Sequence, residues 1–451
     1  MGTGPLCRSH ACVILDRMAK RLLRGIGTAF WQLRIPLMYA AAYLWRTVLF
    51  RTTFIAITGS MGKTTAKEFL AGALATRFPT ASSLANQNGY AGVPRSVLRV
   101  RPWHRFAVIE VAADGRGLMR SSARLVRPDI AIVLLVGRCH MREFRTLDNV
   151  AADKSILLSR LKRNGIALLN GDDALVAAMA GSLPQRVVWF GSSTGFDYQA
   201  EAPSSNWPRR LSFELRAGAE HISVRTRLVG VHWKYSVLAA IAAANICGLS
   251  LDEAVAAAAE IEPVPGRMQP VRLPSGAVVI RDEIEGSIDA LKPAFDVFAT
   301  ASAARRILVI SGVTNISRSP RDRYRAMGRD IARIFELAVF VGDAADHGVR
   351  GALAAGQNPS GAYGFSSLWQ AGEFLARELR PGDLVLLRGR LTDHLTRLCF
   401  DLAGPVACHR TICQKTMICD NCSELGAAVP LLREPPALEQ IVIPSRRAAQ
   451  V

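Results

Sequence analysis

The chain has 451 residues, half of them hydrophobic, and a formal charge of +19. That length implies two or three domains of roughly 100–200 residues each around a large core. Nine cysteines, scattered except for four near the end and without a signal peptide, exclude a secreted disulfide framework. The charge is mostly arginine spread along the chain, with no zinc-finger, RNP or helix-turn-helix pattern. Anionic substrates, nucleotides or a membrane surface therefore account for it better than nucleic acid does.

Residues 1–50 are basic and amphipathic. Arg17, Lys20, Arg21 and Arg24 precede an apolar stretch from Gly25 to Phe50, which Arg34 and Arg46 interrupt. The uncharged run from Ile35 to Trp45 is too short to span a hydrocarbon core of about 30 Å. Trp31, Tyr39, Tyr43 and Trp45 beside arginines fit a peripheral anchor at the inner face of a membrane. A helix packed on the following domain fits equally well.

Thr53 to Ile57 reads as a buried parallel strand, β-branched or aromatic at most positions. Thr58-Gly59-Ser60-Met61-Gly62-Lys63-Thr64-Thr65 follows as a tight turn opening a helix. Gly59 and Gly62 let backbone N–H groups converge on an anion, Lys63 adds a charge, and Thr64 or Thr65 offers a hydroxyl to a metal ion. This stretch predicts a cradle for a nucleotide triphosphate.

A helix from Lys67 to Phe78 is expected next, then a polar loop from Ser83 to Pro94. The strand Phe106 to Val111 carries Glu110 near its carboxyl end, where α/β sheets bind ligands. A strand from Asp129 to Val136 leads into a loop with His140, and the helix Asn149 to Leu161 carries Lys154. Strands at Ile166–Leu169 and Val187–Phe190, small strands within 191–228, and helices at Val237–Ala244 and Leu251–Ile261 complete this part. Pro263-Val264-Pro265-Gly266-Arg267 is a rigid connector. A second α/β unit follows, with strands at Val278–Ile280, Ile307–Ile310, Ala338–Val341 and Leu384–Leu387. The fold class is thus α/β: a P-loop domain with a mostly parallel sheet over 51–265, then a smaller Rossmann-like domain over 266–405. Residues 406–451 form a cysteine-containing tail with a frayed end at Arg446–Val451. There Cys408, Cys413, Cys419 and Cys422 raise a structural Zn²⁺ site against reduced surface thiols.

Several of these stretches, in order, resemble the Mur ligases, and among them the MurF branch. They are Thr58–Thr65, a loop form without the first glycine of the general P-loop pattern; Asn86-x-Asn88 with Gly92-Val93-Pro94; Val108-Ile109-Glu110; and Arg127-Pro128-Asp129. His140, Ala152-Asp153-Lys154, Asn170-Gly171-Asp172-Asp173, Gly230-Val231-His232, Pro265-Gly266-Arg267 and Pro381–Leu386 continue the series. The resemblance covers residues 51–400. It implies an ATP-dependent ligase that joins a carboxylate to an amine through an acyl phosphate, in cell-wall or related biosynthesis in the cytoplasm.

By the same resemblance, Lys63 and the loop from Thr58 to Thr65 would hold the ATP phosphates, and Thr64 with Glu110 would ligate one Mg²⁺. His140 and a carbamylated Lys154 would hold a second. Arg267 would reach the γ-phosphate, and Asp282 would contact the nucleotide from the C-terminal domain.

The sequence also departs from the family. Met61 is unusual in the loop. Trp233 and Ser236 replace two asparagines, Arg281 replaces the first of two aspartates, and Arg388-Gly389-Arg390 replaces Lys-Gly-Ser. About 50 residues precede the loop, too few for the UDP-sugar-binding domain of MurF. These departures leave a second reading open: a degenerate nucleotide-binding homologue acting as a partner or membrane scaffold.

Overall fold

A computed structural model of the chain describes residues 34–84, 87–112, 115, 117–138, 141–313 and 319–436. Two sheets organise it. The first runs β1 (Thr53–Thr58), β2 (Thr80–Ser82), β3 (Phe106–Glu110), β4 (Ile130–Val133), β5 (Ile166–Asn170), β6 (Arg186–Gly191), β7 (Tyr198–Ser204), β8 (Ser212–Ala217) and β9 (Glu220–Arg225). Its spatial order is β2-β3-β1-β4-β5-β6-β7-β8-β9. Every pairing from β2 through β7 is parallel, and β7-β8-β9 closes as an antiparallel meander.

The hydrophobic run of β1 explains its central place. Phe54 to Ile57 are wholly buried, as a strand covered on both faces requires. One face packs on the helices Lys63–Ala75 and Lys234–Ile246, whose Phe69, Leu70, Leu74, Leu238 and Ile241 join the same core. The other face meets Val97, Met119, Val150 and Leu157.

The second sheet contains β10 (Gln269–Arg272), β11 (Val278–Asp282), β12 (Arg305–Ile310), β13 (Leu337–Val341), β14 (Ala362–Phe365), β15 (Asp383–Arg388) and β16 (Leu432–Arg433). They are ordered β14-β13-β12-β15-β11-β10-β16. The four expected strands are its parallel centre; β10, β14 and β16 are additions at or near the edges, too short to show a pattern in the sequence.

Residues 34–48 are helical and lie against the first sheet. Tyr39, Ala42 and Leu49 are buried there. The Tyr39 and Ser122 hydroxyls are 3.0 Å apart, and Trp45 Nε1 donates to Val100 O at 2.8 Å. For these residues the packed-helix reading describes the inner face. Residues 1–33, with Arg17, Lys20, Arg21, Arg24 and Trp31, lie outside the described residues, as do Asn86, His140 and Arg446–Val451.

Residues 406–436 do not stand apart from the second sheet. β16 pairs with β10, and Asp420 inserts a carboxylate onto Arg281 of β11 at 2.8 Å. Arg281 is almost fully buried and also donates to Glu283 Oε1 at 2.6 Å and Gln269 Oε1 at 3.0 Å. Burial alone would lower this guanidinium, but Glu283 and Asp420 outweigh it and hold it above its ordinary range. Removing one partner of such a pair leaves uncompensated buried charge, which costs about 3–5 kcal/mol. Arg281→Met should lower unfolding stability by about that amount, read by urea denaturation; a change within error would mean that Glu283 and Asp420 relax to solvent.

Candidate functional site

The site begins where β1 ends. Gly62 takes a left-handed φ of 81° and caps the helix Lys63–Ala75. A Cβ at Gly62 would fall 2.4 Å from Ser236 Oγ, so close approach and conformation both require glycine. Ser236, one of the two asparagine replacements, donates from its hydroxyl to Gly62 O at 3.1 Å and braces the loop. Lys63 Nζ donates to Gly59 O at 2.8 Å, lying across the loop it follows. Ser60 Oγ accepts from Gly137 N at 2.8 Å, tying the loop to the segment after β4.

The neighbouring strand supplies the carboxylate. Glu110 ends β3 and is buried. Thr64 Oγ1 donates to its Oε2 at 3.0 Å, and Asn88 Nδ2 donates to its Oε1 at 2.6 Å. The backbone N–H of Glu110 donates to Ser83 Oγ at 2.8 Å. Asn88 was visible only as part of a motif; its grip on Glu110 follows from the loop folding back over β3. Thr65 is buried in the helix, and the buried Thr58 Oγ1 has no hydrogen-bond partner among the described residues.

Lys154 is buried on the helix Leu147–Leu158. The preceding Asp153 is also buried, with Oδ2 unpartnered among the described residues. Burial raises the Asp153 carboxyl, although Lys154 and the Gly117 N–H pull it back. His140, expected beside Lys154, is not described.

The C-terminal domain faces this cluster. Asp289, near the start of the helix Ile288–Ala299, accepts from Arg138 N, beside the Gly137 that Ser60 holds. No motif announced this contact, because it forms only when the two domains meet. Val297 of the same helix lies against Gly230, and Arg388 and Asp296 act electrostatically on His232.

Asp282 differs from the expectation of a nucleotide contact. It is buried with its carboxylate on Arg388 Nη1, and Arg388 also donates to Asp282 O and Ser287 O. Burial raises the Asp282 carboxyl, while Arg388 and Arg267 oppose that. Arg388, at the end of β15, reaches this carboxylate because β11 and β15 pair in register at Asp282 and Arg388. Arg267 stands in the connector near Asp282, and its Nε has no hydrogen-bond partner among the described residues.

The zinc expectation is not supported. Cys408, Cys413, Cys419 and Cys422 do line one cavity with His394. Yet among the described residues no three His, Cys, Asp or Glu side chains are arranged to hold a metal ion. Instead Cys419 Sγ lies 3.4 Å from His394 Nδ1, and Cys422 Sγ lies 3.4 Å from Lys415 Nζ.

The geometry can be set beside known proteins. Residues 57–244 match the Mur ligase middle domain. The UDP-N-acetylmuramoyl-tripeptide–D-alanyl-D-alanine ligase of Mycobacterium bovis is 30% identical over 356 residues, which is 74% of this chain and 70% of that one. This chain belongs to the Mur ligase family, whose members are ATP-dependent ligases. The Escherichia coli enzyme of the same name is 30% identical over 256 residues, 56% of this chain and 57% of its own length. Both relatives carry the MurF activity in their names.

In structure, MurF from Acinetobacter baumannii superposes with a TM-score of 0.73 at 24% identity, covering 82% of this chain and 80% of that one. MurF from Thermotoga maritima, solved with ADP, gives 0.69 at 20% identity, covering 81% and 82%. At these identities the solved structures establish the Mur ligase fold for this chain.

His232 makes the interface sensitive to acid. Burial, with Arg388 adding to it, pushes the imidazole down to about 4. It is neutral in the folded Mur ligase and takes up a proton on unfolding below about 6.5. Its contribution is therefore complete above about pH 6.5 and is lost as pH falls toward 4, by roughly 2 kcal/mol after allowing for partial exposure. His232→Asn should flatten that part of the stability–pH curve in urea titrations; an unchanged slope would assign the titration to other groups.

Proposed function

We propose that the chain is an ATP-dependent carboxylate–amine ligase of Mur type, acting in the cytoplasm on an envelope or related precursor. The observation that carries this reading is the Thr64–Glu110 hydrogen bond beside the Gly62 turn, with Asp289 of the other domain held on the segment after β4 to which Ser60 of that turn is tied. A hydroxyl and a carboxylate at the end of a phosphate-binding turn are hard oxygen donors, which suit Mg²⁺. The unpartnered Thr58 hydroxyl and the glycine that no Cβ could replace fit a bound triphosphate.

In this reading Thr64 and Glu110 would hold one Mg²⁺, and His140 with Lys154 as its carbamate would hold a second; bound there, the ions would supply positive charge beside the phosphates. The chain's own groups do the rest. Loop N–H groups and Lys63, once swung from Gly59 O, orient the β- and γ-phosphates. Asn88 keeps the Glu110 carboxylate aimed at Thr64. Arg267 approaches the γ-phosphate from the connector. The carboxylate substrate attacks that phosphate, giving an acyl phosphate and ADP, and the amine then displaces phosphate. The Asp289 contact keeps the domains together over the acyl phosphate and excludes water.

One feature favours the second reading, a nucleotide-binding partner without turnover. Asp282 is buried, with Oδ2 engaged by Arg388 and its carboxylate also accepting from the Met268 N–H, so it is committed within its own domain rather than turned toward a nucleotide.

Release of phosphate from ATP separates the two readings. UDP-N-acetylmuramoyl-tripeptide with D-alanyl-D-alanine comes first, followed by a panel of other carboxylates and amines. Acceptor-dependent release is expected, falling roughly 10²–10³-fold in Lys63→Ala and in Lys154→Ala. Nucleotide binding without release for any pair, and no effect of Lys154→Ala, would refute the ligase reading.

A further inference from the structure

The helix at 34–48 has two faces. Its inner face is the packed one described above. On its outer face Leu37, Leu44 and Val48 are 66%, 73% and 47% exposed, and spacings of seven and four place them on one stripe. Phe50, just past the helix, is 75% exposed, and Trp103 is 69% exposed. Three hydrogen bonds hold these two segments side by side: Trp45 Nε1 to Val100 O, Thr52 Oγ1 to His104 O at 2.9 Å, and Thr53 N to Arg105 O at 2.9 Å. A contiguous group of large apolar side chains facing water marks a docking surface.

The charge around it has one sign. Between Asp16 and Glu110 the only acidic residue is Glu68, and Lys67 holds it at 2.7 Å. Arg51 lies over the Phe50 ring, and Arg101 is exposed beside Trp103. Arg124 acts on Tyr43 and Arg127 on Arg46, and both arginines are exposed. Asp129, the carboxylate facing Arg46, is already engaged by Lys162 at 2.7 Å. Exposed apolar and aromatic side chains with exposed arginines nearby complement a surface that is apolar at its depth and anionic at its rim.

We propose that this face docks the protein on a bilayer containing anionic phospholipid. Among the described residues no helix is long and apolar enough to cross a membrane, so the helix lies along the surface. Leu37, Leu44, Val48, Phe50 and Trp103 enter the acyl boundary, and the arginines meet the lipid phosphates. The inner-face contacts to Ser122, Val100 and Val126 keep the catalytic sheet at a set distance from that surface.

The test is co-sedimentation of the full chain with vesicles of phosphatidylcholine alone and of phosphatidylcholine mixed with phosphatidylglycerol, without ATP. Binding is expected to the anionic vesicles and to weaken as salt is added. The triple variant Leu44→Ser, Phe50→Ser, Trp103→Ser should bind at least tenfold more weakly while keeping its circular dichroism and melting temperature, since all three side chains are exposed. Three results would overturn the proposal. One is recovery of the chain in the supernatant alone. Another is a variant that binds as tightly as the parent, which would assign binding to residues 1–33. The third is a dimer in light scattering that the variant abolishes while neither form sediments. Since ATP and acceptors are omitted, the result is independent of whether the ligase turns over.

Discussion

The register between β1 and β3 is the constraint on which the site depends. Parallel pairing runs from Thr53 opposite Phe106 to Ile57 opposite Glu110. The last residue of β3 thereby stands beside the start of the phosphate loop. Only in this register can Thr64, on the first turn of the next helix, reach the Glu110 carboxylate. A slip by one residue would turn Glu110 to the other face and place Ile109 there. The buried faces of both strands prevent that slip, because it would expose Phe54, Ala56, Ala107 and Ile109 to the wrong layer. Hydrophobic burial in the sheet thus sets the geometry of a polar site at its edge.

The facing domain is held by charge as well as by apolar packing. Arg281 and Arg388 are both buried on neighbouring strands, and each is matched by carboxylates, one of them from Asp420 far along the chain. Buried guanidinium groups are tolerable only when paired and hydrogen-bonded. The final described segment therefore contributes to the C-terminal sheet in two ways, by β16 pairing and by neutralising Arg281. It also reaches the central domain. Arg210 donates to Glu434 O and Pro435 O at 3.0 and 3.1 Å, and Arg433 lies 3.7 Å from Glu262.

Much of the site was legible because its parts are local in sequence. A strand, a two-glycine turn and a helix lie within a dozen residues, and the structure forms all three, because each depends on short-range pattern and backbone conformation. Glu110 was legible for a related reason: a carboxylate at the carboxyl end of a hydrophobic strand sits at the ligand-binding edge of a parallel sheet. The Asp282 pairing was less so. Its neighbour Arg388 is 106 residues away, and only the pairing of β11 with β15 brings the two together. The cysteine spacing suggested ligands, but ligation requires convergence in space, and Cys419 and Cys422 each face a different basic side chain.

What the sequence by itself determined was the order of the main strands and helices, the central strand, the glycine turn after it and the family to which they belong. Those depend on side-chain periodicity and on glycine conformations, which are properties of short segments. Tertiary structure alone decided which groups meet: Asn88 on Glu110, Ser236 on Gly62, Asp289 on the segment after β4, and Arg388 on Asp282. It also decided which face of the N-terminal helix is buried, against Ser122 and Val100, and which is left to solvent. An amphipathic pattern records that a helix has an apolar side. Here both sides carry large apolar residues, and only packing against the first sheet determines which of them is covered.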